Sequence, residues 1–139
     1  MKELNTIGLD QEKAENLAKK LNTLLSNYSI FYQNTRGFHW NIQGDKFFEL
    51  HLKFEEIYND LLLKIDEIAE RILTLGYTPE HRYTEYSKSS TIKESDKVTD
   101  GHTAVAQILD SLKIVIVMQR AILELANDAN DEGTNALMS

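Results

Sequence analysis

The chain has 139 residues, 42% of them hydrophobic, which suits one compact domain with its own core. Its 22 acidic and 15 basic residues give a formal net charge of -7, which opposes generic attraction to nucleic acid or anionic membrane. It has no cysteine, no apolar N-terminal segment of signal-peptide type in "MKELNTIGLD", and no apolar run long enough to cross a bilayer. Disulfides and thiolate metal sites are thereby excluded, and a soluble cytoplasmic protein is expected.

The elements predicted in chain order are helical. Asp10 is placed to cap a first helix that runs to about Trp40, with Leu17, Leu21, Leu24, Tyr28, Phe31 and Tyr32 on its apolar face. Phe38 and Trp40 read as core residues. "NIQGD" then breaks the pattern, with Gly44 for the turn and Asp45 as the N-cap of a second helix from about Lys46 to Leu75. Along that helix Leu50, Phe54, Ile57, Leu61, Ile65, Ile68 and Ile72 recur at steps of three or four, a core stripe. Gly76 followed by Pro79 ends it.

Residues 77–98 are polar and too many for a bare connection, so a short helix is expected near Arg82 to Ser89, packed by Tyr83 and Tyr86. His81 and His102 read as exposed. Thr99 or Asp100 caps a third long helix reaching about Ala126, with Val105, Ile108, Leu112, Val115, Ile122 and Ala126 inward. Thr134 to Ser139 reads as the opening turn of another helix. The expected architecture is an all-α antiparallel bundle, a single domain over residues 1–139. Its fourth long helix is largely absent from this chain, which is therefore expected to be truncated or only partly represented.

A second stripe on helix two, His51, Glu55, Tyr58, Leu62, Asp66 and Glu70, lies beside the core stripe, about 100° round per residue step. It carries a His–carboxylate pair and a carboxylate pair, each at i, i+4, and each pair can clamp one cation. Glu55 and Asp66 are eleven residues apart, or about 16 Å along a helix, whereas metal ligands lie only about 2 Å from the ion. One copy cannot bring both pairs to one ion. Two antiparallel copies about a two-fold axis can, giving two identical sites per dimer. His39, which extends a stripe through Tyr28, Tyr32 and Thr35, joins the same region because the short loop folds helix one back on helix two. Two imidazoles with three carboxylates suit Fe(II), Mn(II) or Zn(II). The Glu-x-x-His pair of intrachain di-iron bundles occurs nowhere in the chain. Spacing alone leaves surface ion pairs open as the alternative, with Glu67 and Arg71 as one such pair.

The segment "HWNIQGDKFFELHLKFEEIYNDLLLKIDEIAERILTLG", His39 to Gly76, closely resembles the signature of the Dps-type mini-ferritins. It carries His39-Trp40-Asn41, a second histidine twelve residues on at His51, and Asp66 with Glu70 ending in Ala69-Glu70-Arg71. The resemblance implies a ferritin-like four-helix bundle with a short helix between helices two and three, assembled into a hollow dodecamer. It implies a ferroxidase centre holding two iron ions (Fe2+/Fe3+) between subunits. His39, His51 and Glu55 would come from one subunit, Asp66 and Glu70 from a neighbour, with Trp40 shielding the centre. The implied activity is oxidation of Fe(II), preferentially with hydrogen peroxide, and storage of ferric mineral, which protects against oxidative damage. Many members carry Asp where this chain has Glu55. Asp128, Asp131 and Glu132 correspond to positions that line an ion pore in the family; a solvated loop is the alternative. The competing role, DNA compaction through a lysine-rich tail, is not expected: the first twelve residues hold Lys2 against Glu3, Asp10 and Glu12.

Overall fold

The computed structural model of the chain describes residues 3–139. Its helices are α1 (Gln11–Asn41), α2 (Phe47–Thr74), α3 (Tyr83–Ser89), α4 (Gly101–Asp128) and α5 (Glu132–Met138). Three of them start on aspartates whose side chains accept a main-chain N–H of the first turn. Asp10 accepts from Lys13, Asp100 from Thr103, and Asp131 from Thr134. The N-cap of α2 is instead Lys46, with no side-chain bond, and not the expected Asp45. Gly44, at φ 105°, sets the turn, and the Phe47 N–H donates to its carbonyl at 3.1 Å, which delays the helix by one residue.

At the other end of α2, Gly76 adopts φ 93°. Its N–H reaches Leu73 O at 2.9 Å and the Tyr77 N–H reaches Ile72 O at 3.1 Å, so the last carbonyls are satisfied without water.

The expected antiparallel order holds for α1 against α2 and for α1 against α4, but α4 runs parallel to α2. The reason is the connection between them. It travels back along α1 and is held there by three asparagines. Asn22 Oδ1 accepts from Glu80 N at 2.8 Å, Asn27 Oδ1 from Thr91 N and Ile92 N at 3.0 Å each, and Asn34 Oδ1 from Ser95 N at 2.9 Å. At the top, Gln43 N donates to Thr99 O at 2.8 Å, and α4 descends from there. A Cβ on Gly101, the first residue of α4, would lie 2.6 Å from Leu50 Cδ1, so a larger residue there would require the Leu50 side chain to shift where α4 meets the start of α2.

α1 is central and packs against both α2 and α4, which do not pack against each other along their lengths. α4 therefore buries Ala104, Ile108, Ser111, Val115, Ile122 and Ala126. Val105 and Leu112, expected inward, are 38% exposed, because the neighbouring face of α4 is uncovered by any described residue. Tyr83 also departs from expectation: it is exposed, while Tyr86 alone anchors α3, its hydroxyl donating to Glu80 O at 2.5 Å. No helix among the described residues is long and apolar enough to cross a membrane.

Candidate metal centre

The α1–α2 turn brings His39, near the end of α1, against His51, in the second turn of α2. Their rings stack with centroids 3.7 Å apart and planes 17° from parallel. The pairing is reciprocal: His39 Nδ1 lies 2.6 Å from His51 O, and His51 Nδ1 lies 2.7 Å from His39 O. A carbonyl oxygen can only accept, so in neutral rings each Nδ1 carries the hydrogen and donates it. Each Nε2 then keeps its lone pair, the form an imidazole must have to ligate a metal.

Further rings extend this pair on both sides. Phe47 stacks on His51 at 5.0 Å and 20°, and Tyr58 meets His39 edge-on at 5.3 Å and 76°. Tyr32 in turn packs edge-on against Tyr58 at 5.9 Å. His39 is buried and His51 half-buried. Sequence reasoning missed Phe47 as part of the site, although it stands four residues before His51 and thus one turn away on the same helix face.

Glu55 is half-buried one turn beyond His51, whereas Asp66 and Glu70 are exposed. α2 is unbroken from Phe47 to Thr74, so the eleven residues from Glu55 to Asp66 separate the two ligand groups by about 16 Å. Among the described residues of one subunit no three histidine, aspartate or glutamate side chains gather where they could hold one ion. The structure thus joins His39 to His51, leaves Glu55 beside them, and holds Asp66 and Glu70 at another level of the same helix.

One expectation and two candidate readings from the sequence need correction here. Trp40 is not core: it is 56% exposed, with the Arg36 guanidinium 4.7 Å from its ring centroid. It borders an open groove of about 850 Å³ that Leu62 and Ile65 of α2 also line. Arg71 does not pair with Glu67. It reaches across to α5, where its Nη2 lies 2.5 Å from Asp131 Oδ1 and its Nε donates to Thr134 Oγ1 at 3.0 Å. Asp131 is consequently buried, at 2% exposure, and also accepts from the Thr134 hydroxyl and N–H. A carboxylate engaged in this way ties α5 to α2 and is not free to line a pore. Asp128 and Glu132 remain exposed, Asp128 with Lys13 Nζ at 3.3 Å. His81 and His102 are exposed, as expected.

Residues 18–139 match the family described as the ferritin-like domain. A DNA protection during starvation protein of Porphyromonas gingivalis is 43% identical over 135 residues, covering 97% of this chain and 85% of that protein. The crystal structure of a Dps protein from Vibrio cholerae O1, described as a member of a broad superfamily of ferritin-like diiron-carboxylate proteins, is similar with a TM-score of 0.96. It is 56% identical, over 97% of this chain and 85% of that one. Dps from Staphylococcus aureus, 31% identical, matches with a TM-score of 0.85 over 89% of this chain and 83% of that one.

Proposed function

We propose that this chain, which belongs to the ferritin-like family as a Dps-type mini-ferritin, oxidises Fe(II) at a centre built between two copies and stores the ferric product. The observation that carries the reading is the reciprocally bonded His39–His51 pair, whose two Nε2 lone pairs are free for metal. In the proposed centre His39, His51 and Glu55 of one subunit meet Asp66 and Glu70 of its neighbour. This mixed nitrogen and oxygen donor set suits Fe(II). Three carboxylates offset most of the charge of two divalent ions, and Glu55 reaches one methylene further than the aspartate of many relatives.

Iron is the substrate. Each Fe(II) gives up one electron; two such electrons and two protons cleave one hydrogen peroxide to two waters, so no hydroxyl radical is released. The redox chemistry belongs to the metal, and the protein supplies ligands and geometry. Peroxide as the preferred oxidant, mineral storage, a homododecamer and a cytoplasmic site of action are carried over from the resemblance to Dps-type proteins. Ion passage where copies meet is assigned to Asp128 and Glu132 alone. DNA compaction is not part of the proposal, since a net charge of -7 works against phosphate binding.

The test is Fe(II) oxidation followed by ferric absorbance, with peroxide or dioxygen as oxidant and a spin trap for hydroxyl radical. The protein should outpace buffer, favour peroxide and suppress the radical signal, and His51→Ala should abolish the gain. A wild-type rate equal to that of buffer rejects the reading.

A further inference from the structure

The structure assigns Phe47 as the positioning residue of the metal centre, the group that holds the His51 ring in ligating orientation. This rests on the reading of His39 and His51 as metal ligands. The two histidines are not equally secured. His39 is buried near the end of the 31-residue α1, where Phe38 packs in the core beside it and Ile42 N–H closes the helix on Phe38 O at 3.0 Å. His51 is half-buried, in the second turn of a helix whose N-cap makes no side-chain bond. The start of such a helix is held only by what packs against it. The Leu50 side chain lies against Gly101 of α4, a contact made by the residue before His51 and not by its imidazole.

What orients that imidazole is a single hydrogen bond and two faces. The bond, to His39 O at 2.7 Å, holds the ring at Nδ1 through one contact and supports neither face. His39 covers one face, with centroids 3.7 Å apart. Phe47 stacks near-parallel at 5.0 Å and 20°. Phe47 itself is half-buried against the core, so its plane is set by the bundle and not by solvent. Phe48, by contrast, is 77% exposed and meets Phe47 edge-on at 5.2 Å. A flat partner is required: a branched aliphatic side chain of similar bulk fills the volume but offers no plane for the imidazole to lie against.

The experiment uses the assembled protein without iron and titrates it with Co(II) by calorimetry, beside wild type, Phe47→Leu, Phe47→Tyr, Phe48→Leu and His51→Ala. Assembly size and thermal midpoint are recorded for each, and titrations run well below every midpoint. Phe47→Leu should bind Co(II) about tenfold more weakly, the usual consequence of losing a group that orients a ligand. Phe47→Tyr should restore the affinity, because it restores the flat face, and Phe48→Leu should match wild type. If Phe47→Leu fails to assemble, Phe47→Met provides the same contrast.

Wild-type affinity in Phe47→Leu, or equal losses in Phe47→Leu and Phe47→Tyr, overturns the assignment while leaving the metal centre standing. If wild type shows no Co(II) binding that His51→Ala removes, the metal-centre reading itself falls.

Discussion

The division of the centre between two subunits can be tested by mixing variants that are broken on opposite sides. α2 is one continuous helix from Phe47 to Thr74, and the level of Glu55 lies about 16 Å from that of Asp66. A ligand reaches only about 2 Å, so His51 and Asp66 of one copy cannot share an ion. On the proposed reading a two-fold pair then contains two centres, each with His39, His51 and Glu55 of one copy and Asp66 and Glu70 of the other. In a His39→Ala pair, or in an Asp66→Ala pair, both centres are damaged. In a mixed pair one centre carries both lesions and the other carries none. If the variants are unfolded together and refolded, half of the pairs are mixed, so about a quarter of all centres should be intact. The assay is the initial rate of Fe(II) oxidation by peroxide, which should recover to about a quarter of the wild-type rate from near-baseline parents. A second mixture sharpens the result. Wild type refolded with the His39→Ala/Asp66→Ala double variant should retain about a quarter of the wild-type rate if centres are shared between copies, and about half if each copy carries its own. No recovery in the first mixture, together with half in the second, would refute the shared centre.

The remaining predictions concern the scaffold. Asn27→Ala removes the acceptor for Thr91 N and Ile92 N, and should destabilise the protein by about 3 kcal/mol in chemical denaturation and expose residues 91–95 to protease. Tyr28, buried on α1 and donating to Gln119 Oε1 at 2.5 Å, has its phenol pushed up from 10.0 to about 12, first by burial and then by the Asp60 charge. Its folded pKa is the raised one, so the stabilisation is complete below pH 10 and is lost as pH rises through about 12, to a total of about 2–3 kcal/mol. Tyr28→Phe should lack that part of the alkaline fall in a pH series of denaturation midpoints, and an unchanged slope would contradict the assignment.

Helix positions and the paired histidines were readable because their signals are local. A period of three to four residues, the aspartates at the starts of α1 and α4 and a Gly-Pro stop are all written within a few positions of where they act. What the sequence hid depends on distant partners. Asp131 looked like one of several acids near a helix end, and only Arg71, sixty positions earlier, makes it a buried tie between α2 and α5. The three asparagines of α1 carry no pattern that separates them from surface polar residues, yet they lay the connection along the bundle and so set α4 parallel to α2. Trp40 was misread for the opposite reason: its bulk suggests core, but it lies on the outer face of a turn whose Phe38 and His39 are buried, with Arg36 over its ring and open space beside it.

The two halves of the proposed centre also differ in what fixes them. His39 and His51 are oriented by each other's main chain and by neighbouring rings, so the nitrogen half depends on no carboxylate and no metal. Asp66 and Glu70 stand exposed on α2, and among the described residues nothing bonds their side chains to hold them in place before a partner arrives. In the proposed centre an unpaired subunit therefore presents two preorganised imidazole donors and Glu55 but lacks the two further carboxylates that help to stabilise Fe(III), the harder and more highly charged product. On the proposed reading oxidation draws on that charge, and two of its three carboxylates come from the neighbour. On this reasoning iron oxidation is tied to assembly, and pairing of two copies is the step that completes the chemistry.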